Sequence, residues 1–142
     1  MKHIFYLIAV FFIIYELMWL MQPQKFVLDR INFDKLQKEN KGKKWDDMSE
    51  EYHSALIGKI PMLFLSIWMI SGLFTFNWVA FLIILVFNFL IITPIGKALK
   101  FSKGYTILHW SNSLIGLIWG VFIIINSYHL KIDLLNYLAN AF

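Results

Sequence analysis

Residues 60–96 contain no Asp, Glu, Lys or Arg. This run of 37 residues constrains the fold more than any other part of the chain. As one helix it would be about 55 Å long, nearly twice the hydrocarbon thickness of a bilayer, about 30 Å. It must therefore turn back on itself. Residues 72–77 (GLFTFN) are the natural place, with Asn77 capping the returning helix. The run then supplies two antiparallel spans, at residues 55–74 and 77–95. Lys59 snorkels at the entry to the first, Pro61 kinks or restarts it, and Pro94 with Gly96 stops the second.

Two more apolar runs flank this pair. Residues 4–21 are interrupted only by Glu16. The preceding Lys2 and His3 imitate a signal peptide. The run is nevertheless longer than a usual signal core, carries a carboxylate, and leads into Gln22-Pro23-Gln24-Lys25, not a small-residue cleavage site. It reads as a retained first span. Residues 105–128 carry no formal charge when His109 is neutral and form the fourth. Within it, His109, Asn112, Gly116 and Gly120 fall on one helix face. A face polar at one end and glycine-lined along its length suits contact with helices better than with lipid.

The expected fold is an all-α integral membrane protein, a single membrane domain over residues 1–142. Its four transmembrane helices form a bundle. The 59% hydrophobic content agrees, since soluble domains average about 45–50% apolar. Residues 22–54 are a basic loop. In it Phe26, Val27, Ile31, Phe33 and Leu36 alternate with Asp29, Arg30, Asp34, Lys35, Lys38 and Glu39. That pattern approximates an amphipathic helix lying in the headgroup plane between the first and second spans. Residues 40–44 break it, Trp45 anchors at the interface, and Asp47 with Glu50 resembles a helix-capping pair.

The net charge of +4 is concentrated. Eight of 13 basic residues lie between Lys25 and Lys59, and Lys97, Lys100 and Lys103 mark the next polar loop. The positive-inside rule puts both loops on the cytoplasmic side and both termini on the opposite side. Lys25, Arg30, Lys35, Lys38, Lys43 and Lys44 are the expected contacts to anionic headgroups. Charge next to apolar spans is accounted for by lipid, so nucleic acid is not expected as a partner. The absence of cysteine excludes disulfides, thiolate metal sites and a catalytic thiol.

Depth is the informative measure within the spans. Glu16 lies six residues before Gln22, Ser66 seven after Lys59, Asn88 nine before Lys97, and Asn112 nine after Lys103. At 1.5 Å per residue these positions stand about 9–14 Å inside the boundary. Each span thus contributes to one polar layer: Glu16, Ser66, Asn88, His109, Asn112 and Ser113. Glu16 is the costly member, at about 2.5–3.5 kcal/mol by insertion scales for a mid-helix acid. It is expected to meet His109, Asn112 or Asn88 across the bundle.

The layer fits either a structural clasp that fixes helix register or a relay or substrate site. A lone Glu in the first of four spans resembles the small multidrug resistance transporters, in which such a carboxylate carries proton and drug. The resemblance covers that one residue; the compact loops and glycine-rich character of that family are missing. Gly116 and Gly120 suit close packing within the bundle, or homodimerisation. His3 and His129 near the far face offer a remote route to haem. Asp46, Asp47, Glu50, Glu51 and His53 offer a divalent-cation cluster that a capped helix start explains equally well. No phosphate loop, nucleophile elbow or His-Glu-x-x-His motif is present.

The expected function is therefore a non-catalytic scaffold, assembly factor or accessory subunit of a membrane complex, with a membrane protein partner or a homo-oligomer and no cofactor or metal. The alternatives are a small proton-linked or ion-conducting transporter centred on Glu16 and a lipid-modifying enzyme.

Overall fold

The computed structural model describes residues 2–99 and 102–141, and helix is the only regular structure among them. Lys100 of the third polar loop lies outside the described residues. Four stretches are long and apolar enough to cross a membrane, as in a multi-pass membrane protein: His3–Met21, Glu50–Phe74, Trp78–Leu99 and Gly104–Leu130.

Helix α1 (Lys2–Met21) is apolar nearly throughout and ends at Gln22. Pro23 then opens α2 (Pro23–Glu39) from its first turn, where a missing N–H costs nothing. Asn40 ends α2: its amide donates to Leu36 O at 2.8 Å, and Gly42 takes the left-handed φ of 84°. The same Asn40 is buried and reaches forward. Its Oδ1 accepts from Ser49 N at 3.0 Å and its Nδ2 donates to Ser49 Oγ at 3.3 Å. Ser49, not Asp47, caps α3 (Glu50–Ile57), accepting from Tyr52 N at 3.3 Å. Asp47 lies instead in a 3-10 turn at Trp45–Asp47.

Of the two roles open to Pro61, the backbone takes the restart. Helix α3 closes at Gly58, and α4 (Ile60–Ser71) begins with Pro61 in its first turn. The reversal falls at the 3-10 turn Gly72–Phe74, where Thr75 Oγ1 donates to Gly72 O at 2.7 Å. Helix α5 (Trp78–Phe87) returns.

Pro94 does not stop the third span. Between α5 and α6 (Thr93–Leu99) the backbone makes one π turn, Asn88–Ile92. Thr93 N bonds Asn88 O, and Thr93 Oγ1 reaches the same carbonyl at 2.9 Å. The wider turn shifts the hydrogen-bond register just ahead of the proline, so the helix continues.

Helix α7 (Lys103–Ile125) ends in a second π turn, Asn126–Leu130, closed by Lys131 at φ 52°. The tail bends away as α8 (Leu134–Ala139), which Asp133 caps through Leu135 N at 3.1 Å.

The tightest packing lies in the half of the spans remote from α2. Phe12, Trp68, Phe81 and Trp119 meet mainly edge to face, with Phe81 and Trp119 centroids 4.9 Å apart. Each indole also ties helices together. Trp68 Nε1 donates to Phe5 O and Trp119 Nε1 to Ala80 O, both at 3.0 Å. Between apolar helices in lipid such van der Waals fit and hydrogen bonding, not water exclusion, hold the contact. Helices α1 and α7 pack along most of their length, and α2 folds against α7.

Candidate functional site: a polar cavity among the spans

The half nearer α2 is not filled. A cavity of about 470 Å³ lies there, and all six residues of the expected polar layer line it: Glu16, Ser66, Asn88, His109, Asn112 and Ser113. Its apolar end is formed by Phe12, Leu65, Met69 and Ile84. Its polar end is formed by Arg30, Asp34 and Lys97, with Trp19, Phe26 and Tyr105 between.

Glu16 is placed by glycine. A Cβ at position 116 would stand 3.1 Å from Glu16 Cδ, so the bare backbone of Gly116 leaves room for the carboxyl where it lies. One turn further along α7, a Cβ at Gly120 would fall 2.9 Å from Ile13 Cγ1 and 3.1 Å from Phe12 Cδ1. Both glycines therefore serve the contact of α7 with α1 inside the chain. The Ser113 hydroxyl, buried, lies beside the Glu16 carboxylate.

The expected hydrogen bonds from Glu16 to His109, Asn112 or Asn88 are not formed. Ser66 Oγ turns back to Met62 O at 2.8 Å, and Asn88 Nδ2 to Ile84 O at 2.9 Å, each on its own helix. His109 is held between the Tyr105 ring (4.4 Å, edge-on) and the Phe26 ring (5.1 Å).

Three buried polar atoms around this space lack a hydrogen-bond partner: Trp19 Nε1, His109 Nε2 and Asn112 Oδ1. The Tyr15 hydroxyl lies near the Trp19 indole without hydrogen-bond geometry to it. Buried groups of this kind are normally satisfied, and each unmade bond costs about 1–3 kcal/mol. All three belong to residues that line the cavity.

The basic residues divide. Lys25, Lys35, Lys38, Lys43 and Lys44 are exposed. Arg30 is half-buried and lines the cavity. His53 of the acidic cluster stacks on Trp45 at 4.3 Å, and its Nε2 meets Trp45 O at 3.0 Å. No group of three or more His, Cys, Asp or Glu is placed to hold a metal ion among the described residues.

A second polar group lies at the far end, and sequence reasoning missed it. Asn77 does not cap α5 with its side chain. Its Oδ1 accepts from Asn126 Nδ2 at 2.5 Å, and its Nδ2 donates to Ser127 Oγ at 2.6 Å. Fully buried Asn126 also brackets Ile132, donating to its O at 3.1 Å and accepting from its N at 2.7 Å. At the same end, His3 Nδ1 meets the Tyr128 hydroxyl at 3.0 Å, not His129. Counting depth from the opposite boundary, where Asn77 and Asn126 both stand, is the signal that would have found this group.

No known protein family, curated protein or solved structure matches the chain.

Proposed function

We propose that this chain is a non-catalytic membrane protein that binds a small molecule in the Glu16 cavity, in the manner of a carrier open to one side. In this reading the four spans form a bundle. Helix α2 lies at the headgroup level, its exposed lysines toward anionic lipid. The basic loops are cytoplasmic and both termini opposite. The observation that carries the proposal is the cavity: polar side chains from all four spans line 470 Å³ of space, and three buried polar atoms there lack partners. A structural clasp would instead close the polar groups on one another. The far half supports a closed gate, being filled by the Phe12, Trp68, Phe81 and Trp119 rings and the Asn77–Asn126 pair. The volume lies in the range of small-molecule sites, about 300–1,000 Å³.

The experiment is native mass analysis of the protein extracted in mild detergent, wild type against Ser66→Phe. Ser66 lines the cavity and its side chain bonds only its own helix, so a phenyl ring there narrows the space. A small-molecule adduct on wild type that the variant loses supports the reading. Wild type without an adduct, or with one the variant retains, contradicts it.

A second reading is an accessory subunit or assembly factor of a membrane complex. Phe74 and Phe89, 91% and 74% exposed, are the apolar surface that favours it. A protein partner of constant stoichiometry in the same spectrum, with no small-molecule adduct, supports that reading.

A further inference from the structure

The charged groups of the cavity stand at two levels. At the polar end are the Arg30 guanidinium, the Lys97 ammonium and the Trp19 indole N–H, with the Asp34 carboxylate among them, so the cations outnumber the acid there. Acceptors lie deeper: the Glu16 carboxylate and Asn112 Oδ1. On α1, Glu16 is three residues inward from Trp19, and on α7 Asn112 is three inward from His109. Three residues of helix are about 4.5 Å. The orphaned His109 Nε2 belongs to the outer level and donates to a ligand in one neutral tautomer.

The charges of the two levels do not meet. Among the described residues neither Glu16, Arg30 nor Lys97 makes an ion pair. Glu16 has a hydroxyl and a glycine backbone beside it but no cation. A carboxylate at this depth is costly without a partner, and a half-buried guanidinium is likewise a strong anion donor. One ligand can satisfy both only if it carries a positive donor and a negative acceptor about one helical turn apart.

Resting on the binding role proposed above, we infer that the cavity recognises a zwitterion. Its ammonium N–H groups donate to Glu16 and Asn112 Oδ1. Its anionic oxygens accept from Arg30, Lys97 and Trp19. Where the ligand is an amino acid, the apolar floor at Phe12, Leu65 and Ile84 takes its side chain. Two sources share this chemistry: an ethanolamine phospholipid headgroup and a free amino acid with an apolar side chain.

The test uses the full-length protein in mild detergent. Native mass analysis follows titration with phosphatidylethanolamine, phosphatidylcholine, phosphatidylglycerol and leucine in separate arms. The inference expects a one-to-one adduct with phosphatidylethanolamine or with leucine, and the arm that binds identifies the source. Phosphatidylcholine lacks N–H donors and phosphatidylglycerol lacks the amine, so both should bind about tenfold more weakly or not at all. Glu16→Gln and Lys97→Gln should each weaken the adduct about tenfold, one at either end of the ligand. Lys97 is exposed, so its variant keeps the test valid even where Glu16→Gln fails to fold. Phosphatidylglycerol or phosphatidylcholine binding as well as phosphatidylethanolamine would overturn the assignment. So would a cavity that binds no probe. In that case an endogenous adduct lost in Ser66→Phe would leave the binding role standing, and its absence would remove both.

Discussion

The Glu16 carboxyl is seated on the Gly116 backbone: a Cβ at that position would stand 3.1 Å from Glu16 Cδ and 3.3 Å from its Oε1. The contact is tight enough that even alanine must push the carboxyl outward by a few tenths of an ångström. Glu16 has the cavity in front of it and can yield. Gly116→Ala should therefore cost little stability, within about 1 kcal/mol, while weakening ligand affinity. At Gly120 the obstructing atoms belong to Ile13 and Phe12 in a packed region, and Gly120→Ala should cost about 1–3 kcal/mol. Thermal unfolding in detergent, with ligand affinity read in parallel, separates the two. Equal loss of stability at both positions would contradict the asymmetry.

Gly72 meets a harder obstacle. A Cβ there would fall 2.2–2.3 Å from three carbons of the Phe81 ring, and Phe81 is wholly buried against Trp68 and Trp119. Gly72→Ala should lower stability by about 1–3 kcal/mol. Gly58→Ala is the matched control, since its Cβ would meet only backbone carbonyls at 3.5 and 3.6 Å. It should leave the unfolding temperature within a degree or two of wild type, or raise it, as alanine favours helix over glycine by about 1 kcal/mol.

Asn126 links α7 to both the α5 entry and the start of the tail. Asn126→Leu keeps the branching at Cγ, adds bulk at a fully buried position, and strands the Asn77 Oδ1 and both backbone groups of Ile132. With each orphan worth about 1–3 kcal/mol, the variant should be among the most destabilised single substitutions in the chain. Limited proteolysis should cut after Lys131 sooner than in wild type. Unchanged unfolding and cleavage would show the pair to be dispensable.

The sidedness is open to a direct test because the chain has no cysteine. Lys43→Cys and Asn140→Cys introduce single thiols at exposed positions. In intact cells a membrane-impermeant maleimide should label Asn140→Cys and spare Lys43→Cys until the membrane is opened. The reverse pattern would invert the topology.

Much of this architecture was legible in the sequence, for identifiable reasons. Uncharged length forces the hairpin at Gly72, and counting residues from the basic boundaries brought Glu16, Ser66, Asn88 and Asn112 to one level. That arithmetic fixes depth but not distance between helices, so it led to hydrogen bonds across a closed layer where the structure has a cavity. Pro94 was misread because local propensity takes no account of the π turn that re-registers the helix before it. That Arg30 also lines the cavity was missed, because periodicity does not reveal which charges of α2 fold inward. Asn77 was read as a cap from its position alone, whereas its partners lie 49 and 50 residues away.

The central claim is that Glu16 faces an accessible cavity, not a closed clasp. Dicyclohexylcarbodiimide, an apolar reagent that adds to carboxyl groups reached through the membrane phase, tests it. Peptide mass mapping of the treated wild-type protein should find the reagent on Glu16. Ser66→Phe, with the cavity narrowed, should lose much of that modification. Glu16 unmodified in wild type, or modified equally in both proteins, would contradict the account.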